Sequence, residues 1–167
     1  MARPLSRLLC RALLLASLGL VVAVLPVRAA QTPEMTAAYT VDTGNAFVDA
    51  ALRDVNHYVE RHPDAFLDEL EWFADGNRRQ LSTWLAAAGH QGADLYFGCQ
   101  LAVILERSCA AVMADFDAAG PSGWNGVLEA LPQPLSAAQW STLEDRIRAS
   151  WQRWARPLPA VPGKRRR

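Results

Sequence analysis

The 167-residue chain predicts an all-α domain, a compact bundle of six or seven short helices with one disulfide, preceded by a signal peptide. Three observations predict it. Apolar residues recur at helical spacing from Asn45 to about Arg156, and no run alternates for long enough to make a strand. Glycines and prolines (Pro63, Gly76, Gly89, Gly120, Pro121, Pro157) cut that pattern into short pieces. Ahead of it, a fourteen-residue apolar stretch from Ala12 to Leu25 follows Arg3, Arg7 and Arg11.

Residues 1–29 read as the signal peptide. Pro26 breaks the apolar stretch, and Val27-Arg28-Ala29 places compact residues three and one before a cut after Ala29. Fourteen apolar residues fall short of the roughly 20 that span a bilayer, which disfavours a permanent anchor. Cys10 precedes the apolar run and does not read as a lipid-attachment cysteine. Cleavage leaves an arm over residues 30–43, a single helical domain over 44–156 and a basic tail over 157–167 that is expected to be disordered. The location implied is periplasmic or secreted.

Phe47, Val48, Ala51, Leu52, Val55, Tyr58 and Val59 form one apolar stripe and predict the first helix, Asn45 to Arg61. Asp49 and Arg53 stand four apart on its other side, where they can pair. His62-Pro63 ends it, and Pro63 suits the first position of the next helix. That helix runs to Ala74, buries Phe66, Leu67, Leu70 and Phe73, and stops at Gly76. A third spans Arg78 to Ala88 and stops at Gly89. After the turn cluster Ala119–Gly123, a short helix from Trp124 to Leu131 ends at Pro132-Gln133-Pro134. In the last helix Ser136 and Gln139 make a capping box, and Leu135 with Trp140 a hydrophobic staple.

Between these lies the stretch that organises the chain, Ala93 to Ala118, with Cys99 and Cys109. As one helix it would hold the two cysteines roughly 15 Å apart, whereas a disulfide needs Cα atoms about 4.4–6.8 Å apart. Either the thiols stay free, or the chain turns near Glu106-Arg107-Ser108 with Ser108 as an N-cap. Export leaves two cysteines in a compartment where disulfides persist, and this favours the turn and the bridge.

The zero net charge of the whole chain hides an asymmetry. From Ala137 onward eight basic residues face Glu144 and Asp145, a formal +6, while Ala30 to Ser136 carries 5 basic and 15 acidic residues, a formal −10. Asp64, Asp68, Glu71 and Asp75 follow one another at helical spacing and put four carboxylates on one face of the second helix. That is the pattern of a solvated face, and also of an interaction surface for a basic segment. In the last helix Trp140, Leu143, Ile147, Trp151 and Trp154 fall within an arc of roughly 80°. Such a stripe closes a bundle core, or lies on an anionic membrane with arginines around it.

No nucleophile elbow, zincin motif or phosphate-binding glycine loop is present. His57 has Asp54 and Glu60 three residues to either side and is the candidate general base for a site with the second-helix carboxylates. The scattered His57, His62 and His90 match no zinc spacing, and no cofactor is expected. Four terminal cations are too few to indicate nucleic-acid binding.

Asp94-Leu95-Tyr96, Cys99, Ala102, Arg107, Cys109, Val112 and Gly123-Trp124, with Asn56-His57-Tyr58-Val59, Arg61-His62 and Asp64-Ala65-Phe66 upstream, resemble a group of small exported α-helical proteobacterial proteins. The likeness covers Asp42 to Leu143. It departs from the group's Gly-Arg-Pro before the second cysteine, here Glu106-Arg107-Ser108, and from Pro-Gly-Ser ahead of the last helix, here Pro134-Leu135-Ser136. The resemblance implies an exported helical domain with a disulfide and carries no activity with it.

The leading expectation is thus an exported, non-catalytic helical module that binds another envelope protein. Its alternatives are a peripheral protein held on anionic lipid by the Trp-rich last helix, and an enzyme built around His57.

Overall fold

The computed structural model describes residues 40–87 and 89–160, so the expected signal peptide, residues 30–39 of the arm and residues 161–167 of the basic tail lie outside the described residues. Seven α-helices are present among the described residues: α1 Ala46–Arg61, α2 Pro63–Phe73, α3 Arg78–Ala86, α4 Gly92–Ile104, α5 Cys109–Ala119, α6 Gly123–Glu129 and α7 Ala137–Arg153. One turn of 3₁₀-helix, Gly120–Ser122, joins α5 to α6. No strand occurs among these residues.

α4 is the axis. Every residue from Gly92 to Ala102 is buried, so this helix has no polar face, and α1, α2, α3, α5 and α7 all pack on it. It can be enclosed so closely because Gly98 carries no side chain. A Cβ there would lie 3.1 Å from the Trp124 ring and closer still to the Met113 sulfur. Around it, Trp124 stacks on Phe116 at 4.4 Å and meets Phe97 edge-on at 4.7 Å. On the opposite flank Trp154 stacks on Tyr58 at 4.2 Å, and Tyr96 meets Trp151 edge-on at 6.1 Å.

The cysteine stretch turns where expected. Cys99 and Cys109 are disulfide-bonded with Cα atoms 4.4 Å apart. Glu106 takes a left-handed backbone (φ 53°), Arg107 N–H bonds Ala102 O at 2.9 Å, and Glu106 N–H bonds Val103 O at 3.3 Å. This is a Schellman end. The turn forms without a glycine, at Glu106. Ser108 then accepts from Ala111 N–H at 3.1 Å and caps α5.

Other ends differ in detail from the expectation. Asp75, not Gly76, adopts the left-handed conformation after α2 (φ 51°). Gly76 is needed for a different reason, since a Cβ there would sit 2.9 Å from Leu70 O. α3 stops at Ala86, and α7 at Arg153 in a second Schellman turn, with Ala155 at φ 51° and Arg156 N–H on Trp151 O. Asp49 does not pair with Arg53. Its carboxylate accepts from Thr43 N–H at 2.9 Å and Thr43 Oγ1 at 2.7 Å, tying the end of the arm to the first turn of α1. The capping box of α7 is present, with Ser136 accepting from Gln139 N–H and Gln139 from Ser136 N–H.

Candidate interaction surface

α2 carries two sets of carboxylates, and the fold separates them. Asp64, Asp68 and Glu71 point outward onto one guanidinium from α3. Arg78 reaches Asp64 at 3.2 Å and Glu71 at 3.4 Å, and it also hydrogen-bonds Asp68. The Asp68 hydrogen bond leads in raising the pKa of Arg78. Asp75 lies past the helix end and does not continue this row, because its backbone has already turned.

Glu69 faces the other way and is 3% exposed. It accepts from Ser150 Oγ at 2.6 Å and from Arg153 Nε at 2.8 Å, with Arg153 Nη2 on its second oxygen, a bidentate pair. Ser150 in turn accepts from Tyr96 Oη at 2.7 Å. Tyr96 is fully enclosed, and burial pushes its pKa up, with the Ser150 bond pulling it part of the way back. Beside this chain Arg146 donates to Gln100 Oε1 at 2.8 Å and to Phe73 O, so α7 is sewn to both α2 and α4.

Beside that seam lie the two most exposed aromatic side chains among the described residues. Trp72 is 76% exposed and Phe73 45%. The Arg153 guanidinium lies 3.8 Å from the centre of the Phe73 ring, so Phe73 has a partner on one face. Trp72 falls four residues after Asp68, at the border of the outward carboxylates.

The chain matches no family model, no curated protein and no solved structure.

The remaining candidate residues are distributed as follows. Ile147 and Trp151 are fully buried, together with Leu143, while Trp140 and Trp154 are part-buried and packed against the same core. The stripe of α7 is thus core, and the face that lipid would need is occupied. His57 is well exposed and lies 3.9 Å from Glu60, with the outward carboxylates of α2 held on Arg78 instead. Among the described residues no three His, Cys, Asp or Glu side chains converge as metal ligands do. A cleft lined by Val41, Asp94, Phe116 and Trp124 holds one buried carboxylate, but Asp94 is engaged by Gln91 N–H at 2.9 Å and Trp124 Nε1 at 3.1 Å. No helix among the described residues is long and apolar enough to cross a membrane.

Glu69 and Trp72 escaped the sequence reading, although each left a trace. Glu69 stands three residues after Phe66 and four before Phe73, on the apolar arc rather than the polar one. Trp72 is the converse, a large aromatic side chain at the edge of a charged face.

Proposed function

We propose that the protein is an exported, non-catalytic module that binds another envelope protein through the outer face of α2, with Trp72 at the centre of the contact. The observation that supports this is the exposure of Trp72 (76%), while Trp124 and Trp151 are buried and Trp84, Trp140 and Trp154 are part-buried. A solvent-facing indole leaves a large apolar area in water, and with only two side-chain torsions it has little rotamer freedom to lose when a partner covers it. For that reason tryptophan dominates binding energy at protein interfaces far beyond its frequency. The carboxylates beside it supply orientation and steering more than affinity.

The test is a photo-crosslinking side chain at position 72, with the same group at His57 as a control on an exposed face of α1. Adducts specific to position 72 are expected in the envelope fraction. With the captured partner purified, Trp72→Ala should weaken binding at least tenfold, about 1.4 kcal/mol, and leave the melting curve unchanged because the side chain is not in the core. Equal labelling from both positions overturns the reading. Sedimentation with anionic vesicles is the companion measurement, and tight co-sedimentation without a protein adduct would favour the lipid reading instead.

A further inference from the structure

Two arginines of the described chain are held in the same way. Arg153 pairs with Glu69 and lies over the ring of Phe73, four residues on. Arg156 pairs with Asp54 at 2.9 Å and lies 5.3 Å from the centre of the Tyr58 ring, again four residues on. On a helix a carboxylate at i and a ring at i+4 stand one above the other. One planar guanidinium can then meet both, its edge on the carboxylate and its face on the ring. An acid followed four residues later by Phe, Trp or Tyr occurs three times in the chain, and the third pair is Asp68 and Trp72 on α2.

This third cradle stands one residue before the pair Glu69 and Phe73, so it is turned about 100° around the helix axis, off the flank where Arg153 docks. Arg78 takes Asp68 through Oδ1 from the α3 side, yet the Asp68 side chain stays 56% exposed. Among the described residues no cation lies over the Trp72 ring, which is 76% exposed.

We propose that the partner fills this cradle with an arginine, carried on a basic segment, whose guanidinium lies on Trp72 and bonds the open edge of Asp68. The inference rests on the binding face assigned above and names the chemistry of what binds there. Charge complementarity selects the occupant. Asp64, Asp68 and Glu71 share the single guanidinium of Arg78, and no other described cation pairs with them, so the row keeps two negative charges. An apolar partner would cover the indole but strip water from Asp68 and Glu71 without replacing its hydrogen bonds. Anionic headgroups would meet the row charge against charge. Lysine brings the charge without the planar fork that serves carboxylate and ring together.

The test follows the indole N–H resonance of Trp72, assigned by its loss in Trp72→Phe, as the protein is titrated with the peptide acetyl-Gly-Arg-Arg-Gly-amide. At about 0.15 M salt, where the screening length is about 8 Å, the resonance should shift saturably with a Kd in the millimolar range. The same peptide with lysine for arginine should bind several-fold more weakly, and with citrulline, which keeps the shape and loses the charge, no saturable shift should appear. Asp68→Asn should weaken the arginine peptide about fivefold, whereas Asp64→Asn, which removes the same charge from the same row but not from the cradle, should change it less than about twofold. A Trp72 resonance that the arginine peptide does not move overturns the proposal. So do equal affinities for arginine and lysine, or equal losses in Asp68→Asn and Asp64→Asn, either of which reduces the effect to unspecific attraction. The binding face itself is judged separately by the crosslinking at position 72. Specific adducts there on a partner segment without arginine would keep the face and overturn this occupant.

Discussion

Glu69 shows how one buried charge is tolerated. Its carboxylate is enclosed, yet a bidentate guanidinium and a hydroxyl supply the hydrogen bonds that water would otherwise give. Glu69→Ala should cost about 2–3 kcal/mol in denaturant melts, toward the low end for a broken buried pair, because Arg153 is 34% exposed and can rehydrate. An unchanged melt would mean that the pair does not hold α7 to α2. Tyr96 adds a pH dependence. Its phenol ionises at higher pH in the folded protein than in the unfolded chain, because burial disfavours the phenolate. The native state then holds its proton more tightly, so this stabilisation is complete below about pH 10 and is lost as pH rises past it. Urea midpoints should stay level from about pH 7 to 9 and fall above about pH 10. Tyr96→Phe should remove most of that fall, at about 1 kcal/mol lost near neutrality with the Ser150 bond. Tyr58, whose pKa is also raised by burial, accounts for what remains. The same steepness in Tyr96→Phe would put the titration elsewhere.

Among the helices, α7 carries the most consequential single side chain. Trp151 is fully buried against α4, and Trp151→Ala should cost about 3–5 kcal/mol, as core aromatic truncations do. A wild-type melting curve from that variant would remove α7 from the core. The α4–α5 hairpin is closed by its disulfide across ten residues, and reduction should cost about 2–3 kcal/mol. Thiol labelling of denatured, non-reduced protein should find neither Cys99 nor Cys109 free. Legibility in the sequence followed amphipathicity. α1, α2 and α7 each alternate a core arc with a solvated arc, so their periods, caps and ends could be placed within a few residues. α4 has no solvated arc. Its position was readable from the cysteine pair, but its place at the centre was not, since burial on every side erases the period that locates a face. The outer carboxylates were readable as a row, but their clamp on Arg78 comes from α3 packing beside α2, which no local pattern encodes. Glu69 was hidden for a related reason. Its partners, Ser150 and Arg153, lie 81 and 84 residues away.

At the scale of the molecule the charge split becomes a set of named ties. The excess cations of the C-terminal part meet the acidic body through Arg153 with Glu69 and Arg156 with Asp54, not through the outward row on α2. If the chain is exported as proposed, mass spectrometry of the periplasmic fraction should find an N-terminus at or near Ala30, and an intact Met1 in a membrane pellet would speak for retention. The central position of α4 also dictates a schedule. Protein synthesis runs from the N-terminus, so α1 through α6 are all made while the flank of α4 that receives Trp151 and Ile147 has nothing to cover it. The cover is complete only when α7, through Trp154, is free to pack. Until then Tyr96 lacks its Ser150 partner and Glu69 its guanidinium, so an incomplete chain exposes apolar surface that the native fold covers. The core of this domain is thus expected to close only once α7 has docked on α4.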